Sequence, residues 1–595
     1  MGVSTSAYWY CFYCKIRGLY SGSMGSRGHV YCPFTRPTNG TSRRPAACQG
    51  TANPSGVNSK RNPNQRVQYD NNSLFVNVDP GNLELRTDLG FRADAWQAFN
   101  SHPPKPSHGV SRLPIWCELE SVFFPWAFVL DEMHLFWENV RVLLFNHWRG
   151  RFFSRKDSTA KKFERTDDAY NISPLFWEQI GAGMQESRQD FPTAWGDSLR
   201  HFTKHCHEFK AAEWKNFWML IAPIVLSDER VLPNDCYEAF CDLIEAIESA
   251  TCDIPKDDIE HTIRTPLINF LHHYENTYYQ HVWERLETCR SQIHLLAHVA
   301  DFVEWCGPMN LYAQWSCERF CGMISQSVRN RVQANRACSL DILRQQQVYH
   351  IPFLARKSRT CNPLDIPESQ WQDLSIDGPP AVGQESIYLE DIINNMVDIR
   401  VDSVTRRARK PAVVGDIGPP PGTPGNMFFP PLALYGPTQY KIKTYIRSYI
   451  FQFLKESGLQ VTRRSIPRIV TAYRVAKAHD ESLLSSEKLV PPNSTRSRSY
   501  AEYRWCNNRD GQTRTYYGRV LLFLSFRIED SRHPELHLAL VQDFHCENEG
   551  RLKRIARVER QDIICARDVL GMVAVIRNGI NKASYIVKRR TALIG

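Results

Sequence analysis

Residues 348–438 constrain this 595-residue chain most, because they leave the backbone no regular structure to adopt. From Leu354 to Pro437 the hydrophobic periodicity is lost, and the stretch ends in the Pro/Gly run Gly418 to Pro424. Proline removes amide donors and glycine raises the entropic cost of order, so 348–438 reads as an irregular linker between parts that fold separately. The length alone exceeds what one hydrophobic core supports. Before the linker, residues 74–347 pattern mostly as helix: Leu267, Phe270, Leu271 and Tyr274 recur at helical spacing, followed by Leu295, Leu296 and Val299. After it, a basic helical segment is expected at 439–495 and a small β domain at 496–590. The β expectation rests on Gly518 to Phe526, Leu536 to Phe544 and Ile580 to Val587, rich in Val, Ile, Leu, Tyr and Phe and separated by turn chemistry such as Asp510-Gly511. The fold class expected is α+β, with the C-terminal domain a barrel or sandwich.

Charge is unevenly placed. The net charge is +10, yet residues 1–69 contain no Asp or Glu and hold nine Lys or Arg, which leaves about +1 for the remainder. A second concentration, Lys441 to Lys477, sets nine basic residues against Glu456 alone. Such asymmetry suits a polyanion such as DNA, although a solvated basic tail would look the same. Residues 34–73, poor in large apolar side chains, read as a disordered linker. The N-terminus lacks the apolar core of a secretory signal, and the richest apolar stretch, Val122 to Trp148, is broken by Asp131, Glu132, His134, Glu138 and Arg141. No membrane partner is expected, and the 18 cysteines read as reduced thiols plus one metal site in an intracellular protein.

Three constellations carry chemistry. Within residues 1–33, Cys11-Phe-Tyr-Cys14 and His29-Val-Tyr-Cys32 form two pairs, each with two residues between ligands. Four soft ligands at that spacing suit a closed, structural tetrahedral zinc, with Cys11, Cys14, His29 and Cys32 as ligands. A more distant ligand such as His134 could replace the second pair, and cysteines packed in an aromatic cluster are the bland alternative. The second is the run Phe123 to Val140, in which Asp131 is followed three residues later by His134 at a helix start. Taken alone, Asp131 is most simply an N-cap. The third places His294 and His298 four apart on a helix face, a spacing able to hold a metal but more often that of packed core residues. It continues through Cys306-Gly-Pro308 to Glu318, one acid beside Arg319 that alone would be a solvated ion pair.

Together these runs resemble the CACTA (En/Spm) DNA transposases, of the kind abundant in fungal genomes. The resemblance is carried by Ser6-Ala-Tyr-Trp-Tyr-Cys11-Phe-Tyr-Cys14, by the Asp131-Glu-Met-His134-Leu block, by Lys210-Ala-Ala-Glu-Trp214, by His294 to His298 with Trp315 to Gly322, and by Tyr517-Gly518-Arg519-Val520, in the family's order. It implies a partial ribonuclease-H-like core with a large helical insertion. Such cores hold two Mg²⁺ ions with three carboxylates for strand cleavage and transfer. The family's third acid falls on Glu318, with Asp131 and His134 as the supporting Asp-x-x-His signature. The two earlier aspartates would precede Cys11, where Met1 to Tyr10 holds no acid. The expectation is therefore an N-terminally truncated, catalytically incomplete member that keeps DNA, at transposon ends or as non-specific duplex, as its partner, with self-association open and Mg²⁺ not retained. The alternative is a co-opted, non-enzymatic DNA- or chromatin-binding or protein-interaction protein. A nuclear location follows from the family, with Arg406-Arg407-Ala408-Arg409-Lys410 as an import signal.

Overall fold

The structure, a computed structural model, describes residues 9–21 and 29–37, then 76–327 apart from 103–104, 154–167, 193–194, 197–198 and 253–255. It further describes a few positions between 335 and 343, residues 412–413, and 433–588 apart from 479–481, 490–498, 507–511 and 529–534. The expected linkers at 34–73 and 348–438, the basic run at 406–410 and Val328 to Arg331 fall wholly or mostly outside the described residues. The chain forms two compact units: Met1–Ala313 with Val414–Leu432 and Thr438–Ile594, and Gln314–Val413 with Ala433–Pro437.

The first unit is α+β. A short antiparallel hairpin, β1 (Leu19–Ser21) and β2 (His29–Tyr31), comes first. From residue 76 to Ala313 every regular element among the described residues is helical. Helix α1 (Asp88–Asn100) starts where the Thr87 side chain accepts the Gly90 N–H, with Asp88 favourably placed in the first turn. A π-helical run, Met133–Val140, continues into α2 (Arg141–Trp148). Helix α3 (Pro174–Glu186) begins with Ser173 as cap and proline in the first turn, where no amide donor is missed. Helix α4 (Asn234–Thr251) buries Tyr237, Phe240, Cys241, Ile244 and Ile247 along one stripe. Helix α5 (Thr265–Tyr274) buries Leu267, Phe270, Leu271 and Tyr274, the face its periodicity indicated. Trp137, Trp148 and Trp218 are completely buried, and Trp148 stacks on Trp218 with ring centroids 5.6 Å apart. Burying each such side chain contributes on the order of 2–3 kcal/mol. The last α-helix of this part is α6 (Val299–Cys306).

The C-terminal part is an antiparallel sheet with one covering helix. Its strands are β4 (Ala433–Lys441), β5 (Ile469–Lys477), β6 (Leu483–Ser485), β7 (Tyr500–Cys506), β8 (Thr513–Phe526), β9 (Leu536–Glu549), β10 (Leu552–Cys565), β11 (Val569–Arg577) and β12 (Ser584–Lys588). The order is β4-β5-β8-β7-β11-β12-β10-β9, with β6 on β5. Because β8 also pairs with β9, the antiparallel pairings β8–β7–β11–β12–β10–β9–β8 return on themselves. Helix α8 (Thr444–Glu456) lays Ile446, Ile450 and Leu454 against Leu522, Leu524, Leu538, Leu540 and Ile563. The basic segment at 439–495 is thus helical only in part, since β5 and β6 follow α8. Inside β8, Gly518 has no room for a side chain: a Cβ there would stand 2.4 Å from the Gln542 carbonyl oxygen.

Helices and sheet meet within this unit through specific polar contacts. Tyr500 donates to Asp190 Oδ1 at 2.9 Å, the Arg577 N–H to Ser187 Oγ at 2.7 Å, and Asn578 Nδ2 to the Ile224 carbonyl at 3.1 Å. The backbones at Gly183 and Gly579 touch so closely that a Cβ at 579 would lie 1.8 Å from the Gln179 oxygen. The second unit contains α7 (Trp315–Ser327) and the two-residue strand β3 (Ala412–Val413), which pairs with Ala433 and Leu434. No helix among the described residues is long and apolar enough to cross a membrane.

Candidate metal centre

Cys11 and Cys14 lie on a turn pinned from several sides. Lys15 N–H donates to the Glu84 carbonyl at 2.9 Å and Arg86 N–H to the Tyr13 carbonyl at 2.8 Å. The Arg86 guanidinium, 2% exposed, donates through Nε to the Cys11 and Cys14 carbonyls at 3.1 and 3.2 Å, and through Nη2 to the His108 carbonyl at 2.7 Å. The turn's own closure is local, with the Tyr13 N–H reaching Cys11 Sγ at 3.4 Å. A two-residue gap lets both thiols point to one side, and that side faces helix.

The facing residues are His294 and His298, which end the short helical turns Ser291–His294 and Leu295–His298 just before α6. His294 Nε2 lies 3.3 Å from Cys14 Sγ, His298 Nε2 lies 3.5 Å from Cys11 Sγ, and the two Nε2 atoms are 3.3 Å apart. All four ligand atoms fall within 4.8 Å of one another, and all four residues are buried. They form a buried group able to hold a metal ion. Outside the four, His298 Nδ1 faces Asp301 Oδ2 at 3.4 Å, and Asp301 accepts from Arg264 at 2.7 Å. A carboxylate behind the imidazole fixes the ring and leaves Nε2 turned to the cluster.

The electrostatics follow from burial and crowding. Burial opposes ionisation of Cys11, but its hydrogen bond with Cys14 and the imidazoles of His294 and His298 hold its thiol well below the usual range. Burial, then the neighbouring Cys11, pushes Cys14 up. Burial lowers His294. Against the same burial, Cys11 and Asp301 raise His298 to about 9.

The ligand set differs from the sequence expectation at its second pair. Cys32 is buried, but it is not in the group: its amide donates to the Cys289 carbonyl at 2.8 Å and its thiol meets the Tyr10 hydroxyl. The His29 backbone sits in β2 opposite Ser21, and its side chain lies outside the described residues. The hairpin carries Cys32 towards residue 289, while the helical turns deliver the two histidines. His134 is not in the group either. Both half-sites are visible in the sequence, and only the fold brings them together.

The second candidate cluster is local. Asp131 Oδ2 accepts the His134 N–H at 2.8 Å and faces His134 Nδ1 at 2.6 Å; His134 Nε2 lies 3.8 Å from Glu138. Asp131 therefore acts as a helix cap and holds the imidazole at once. Beside it, Glu132 is completely buried and pairs with Lys215, and also accepts from Trp137 Nε1 at 3.1 Å. Glu318 lies exposed on α7, in the second unit. Neither Asp131 nor Glu318 belongs to a group of three or more metal-ligating side chains among the described residues.

No family model matches the chain, and neither does any curated protein or solved structure.

Proposed function

We propose that this chain is a DNA-binding protein of the CACTA transposase type, built around a structural zinc ion held by Cys11, Cys14, His294 and His298. The zinc reading rests on distances. A tetrahedral ion with Zn–S of about 2.3 Å and Zn–N of about 2.05 Å has N···N edges of about 3.35 Å and S···N edges of about 3.55 Å. The corresponding separations here are 3.3 Å between the imidazoles and 3.3 and 3.5 Å from sulfur to nitrogen. Two thiolates and two neutral imidazoles neutralise a divalent ion, so its burial leaves no net charge. Four protein ligands leave no position for substrate, so the ion would tie the N-terminal turn to the helices rather than react.

The DNA reading is carried by one observation, the exposed basic residues between Lys441 and Arg474. Lys441, Lys443, Lys455, Arg463, Arg464, Arg468 and Arg474 are all exposed. None of the seven forms a salt bridge among the described residues, and Glu456 is the one acid between Lys441 and Lys477. Arg447 is used differently, donating to the carbonyls of Arg463 and Ile466 and so holding the basic loop. Cations without acidic partners are free to replace counterions on phosphate. The family resemblance extends the reading to a ribonuclease-H-like core, a barrel-like C-terminal domain, a nuclear location and an ancestral Mg²⁺-dependent strand cleavage. In that reaction Glu318 would be a metal ligand, with Asp131 and His134 in support.

The test is fluorescence anisotropy of a labelled duplex against salt, for wild type and for Arg463→Ala/Arg464→Ala/Arg468→Ala. Wild type should show a steep log–log dependence, and the variant a slope smaller by about 0.9 for each phosphate it no longer neutralises. A flat salt response would overturn the DNA reading. Strand cleavage of element-end DNA with Mg²⁺, with Glu318→Gln as control, tests the chemistry separately.

A further inference from the structure

Asp235, Cys236 and His273 form a second ligand cluster, remote in sequence from the four residues above. Asp235 and Cys236 occupy the first turn of α4, and His273 the last turn of α5, the helix packed beside it. One ligand atom from each lies within 4.8 Å of the other two. Cys236 is buried, His273 is half-buried and Asp235 is exposed. The trio is therefore open to solvent on its carboxylate side.

Capping chemistry accounts for an acid in the first turn of a helix but not for the whole group. Further along α4, Glu238, Asp242 and Glu245 all pair with Arg551. Asp235 has no Lys or Arg salt-bridge partner among the described residues, and what stands beside it is a thiol and an imidazole. Burial holds the basicity of His273 below the ordinary imidazole range. Thr277 Oγ1 is 3.3 Å from His273 Nε2 and orients the ring.

We propose that Asp235, Cys236 and His273 bind a second transition-metal ion of the zinc class, with its fourth position open to water. One sulfur, one nitrogen and one oxygen donor exclude the hard ions Mg²⁺ and Ca²⁺, which take oxygen. Three protein ligands with an open position is the arrangement of reactive rather than structural zinc. The Cys236 thiol gives up its proton to solvent on binding, and the resulting thiolate with the Asp235 carboxylate balances the divalent charge.

The experiment is a count of Co²⁺ bound per full-length chain, after chelator stripping and reloading, read by elemental analysis and thiolate-to-cobalt absorption. Wild type should bind two ions, and His273→Gln and Cys236→Ser one each, with the thiolate band reduced but not lost. Cys11→Ser/Cys14→Ser should keep one ion, with the band of a single thiolate. Because His273 is half-buried and Gln is isosteric in reach, that variant keeps the test valid if the cysteine variants fold poorly. A wild type whose single ion is kept by His273→Gln, or a His273→Gln chain that still binds two, overturns the proposal. Loss of the four-ligand site alone would leave the Cys11→Ser/Cys14→Ser count at one, so the two sites fail separately.

Discussion

Replacing Glu275 by glutamine should remove a pH dependence from the anchoring of the N-terminal segment. Glu275 is 5% exposed, and its carboxylate accepts the Phe34 N–H at 2.6 Å and the Thr35 N–H at 3.0 Å. Burial outweighs those two hydrogen bonds and raises its pKa from 4.5 to about 7. The difference, 7 − 4.5 = 2.5, corresponds to about 3 kcal/mol at 1.36 kcal/mol per unit. The sign follows from linkage: a carboxyl raised in the fold contributes stability that is complete below pH 4.5 and is lost as pH rises through 7. Glutamine keeps one acceptor oxygen and cannot titrate, but turns its amide towards one of the two N–H groups, which costs about 1–3 kcal/mol. Wild type should therefore hold the segment more tightly than Glu275→Gln at pH 5, and the advantage should shrink by about 3 kcal/mol, to nothing or below, by pH 8. The assay is hydrogen-exchange protection of the Phe34 and Thr35 amides, taken as the difference between the two proteins at each pH. A difference that stays constant from pH 5 to 8 would refute the argument.

Arg86→Met should leave the carbonyls of Cys11, Cys14 and His108 without their buried donor. The expected cost is about 3 kcal/mol or more, together with faster loss of the proposed zinc to a chelator; unchanged retention of added zinc would contradict the role given to the guanidinium. Lys215→Met strands Glu132 as an uncompensated buried charge and should destabilise by about 3–5 kcal/mol. Adding Glu132→Gln to that variant should recover much of the loss in denaturant unfolding. Gly518→Ala drives a methyl into the Gln542 carbonyl across the β8–β9 pair and should cost about 1–3 kcal/mol. A melting temperature equal to wild type would show that the strands can part there without cost.

Local pattern was enough for much of the architecture. The stripe Leu267, Phe270, Leu271 and Tyr274 is the buried face of α5, and Gly518 to Phe526 and Leu536 to Phe544 lie inside β8 and β9. These were legible because helix and strand periods are set by backbone geometry within a few residues. β5 and β10 were not: Ile469–Lys477 was obscured by its basic setting, and β10, with charged residues along much of its length, lacks a clean alternation. The Cys-x-x-Cys turn, and the four-residue step from His294 to His298, were each visible as half of a metal site. Their union was not, because 280 residues separate Cys14 from His294 and no local spacing relates them. Sequence determined which side chains could ligate. Which of them meet is decided by the packing of the helices against the N-terminal turn, and by the β1–β2 hairpin that carries Cys32 to Cys289 instead.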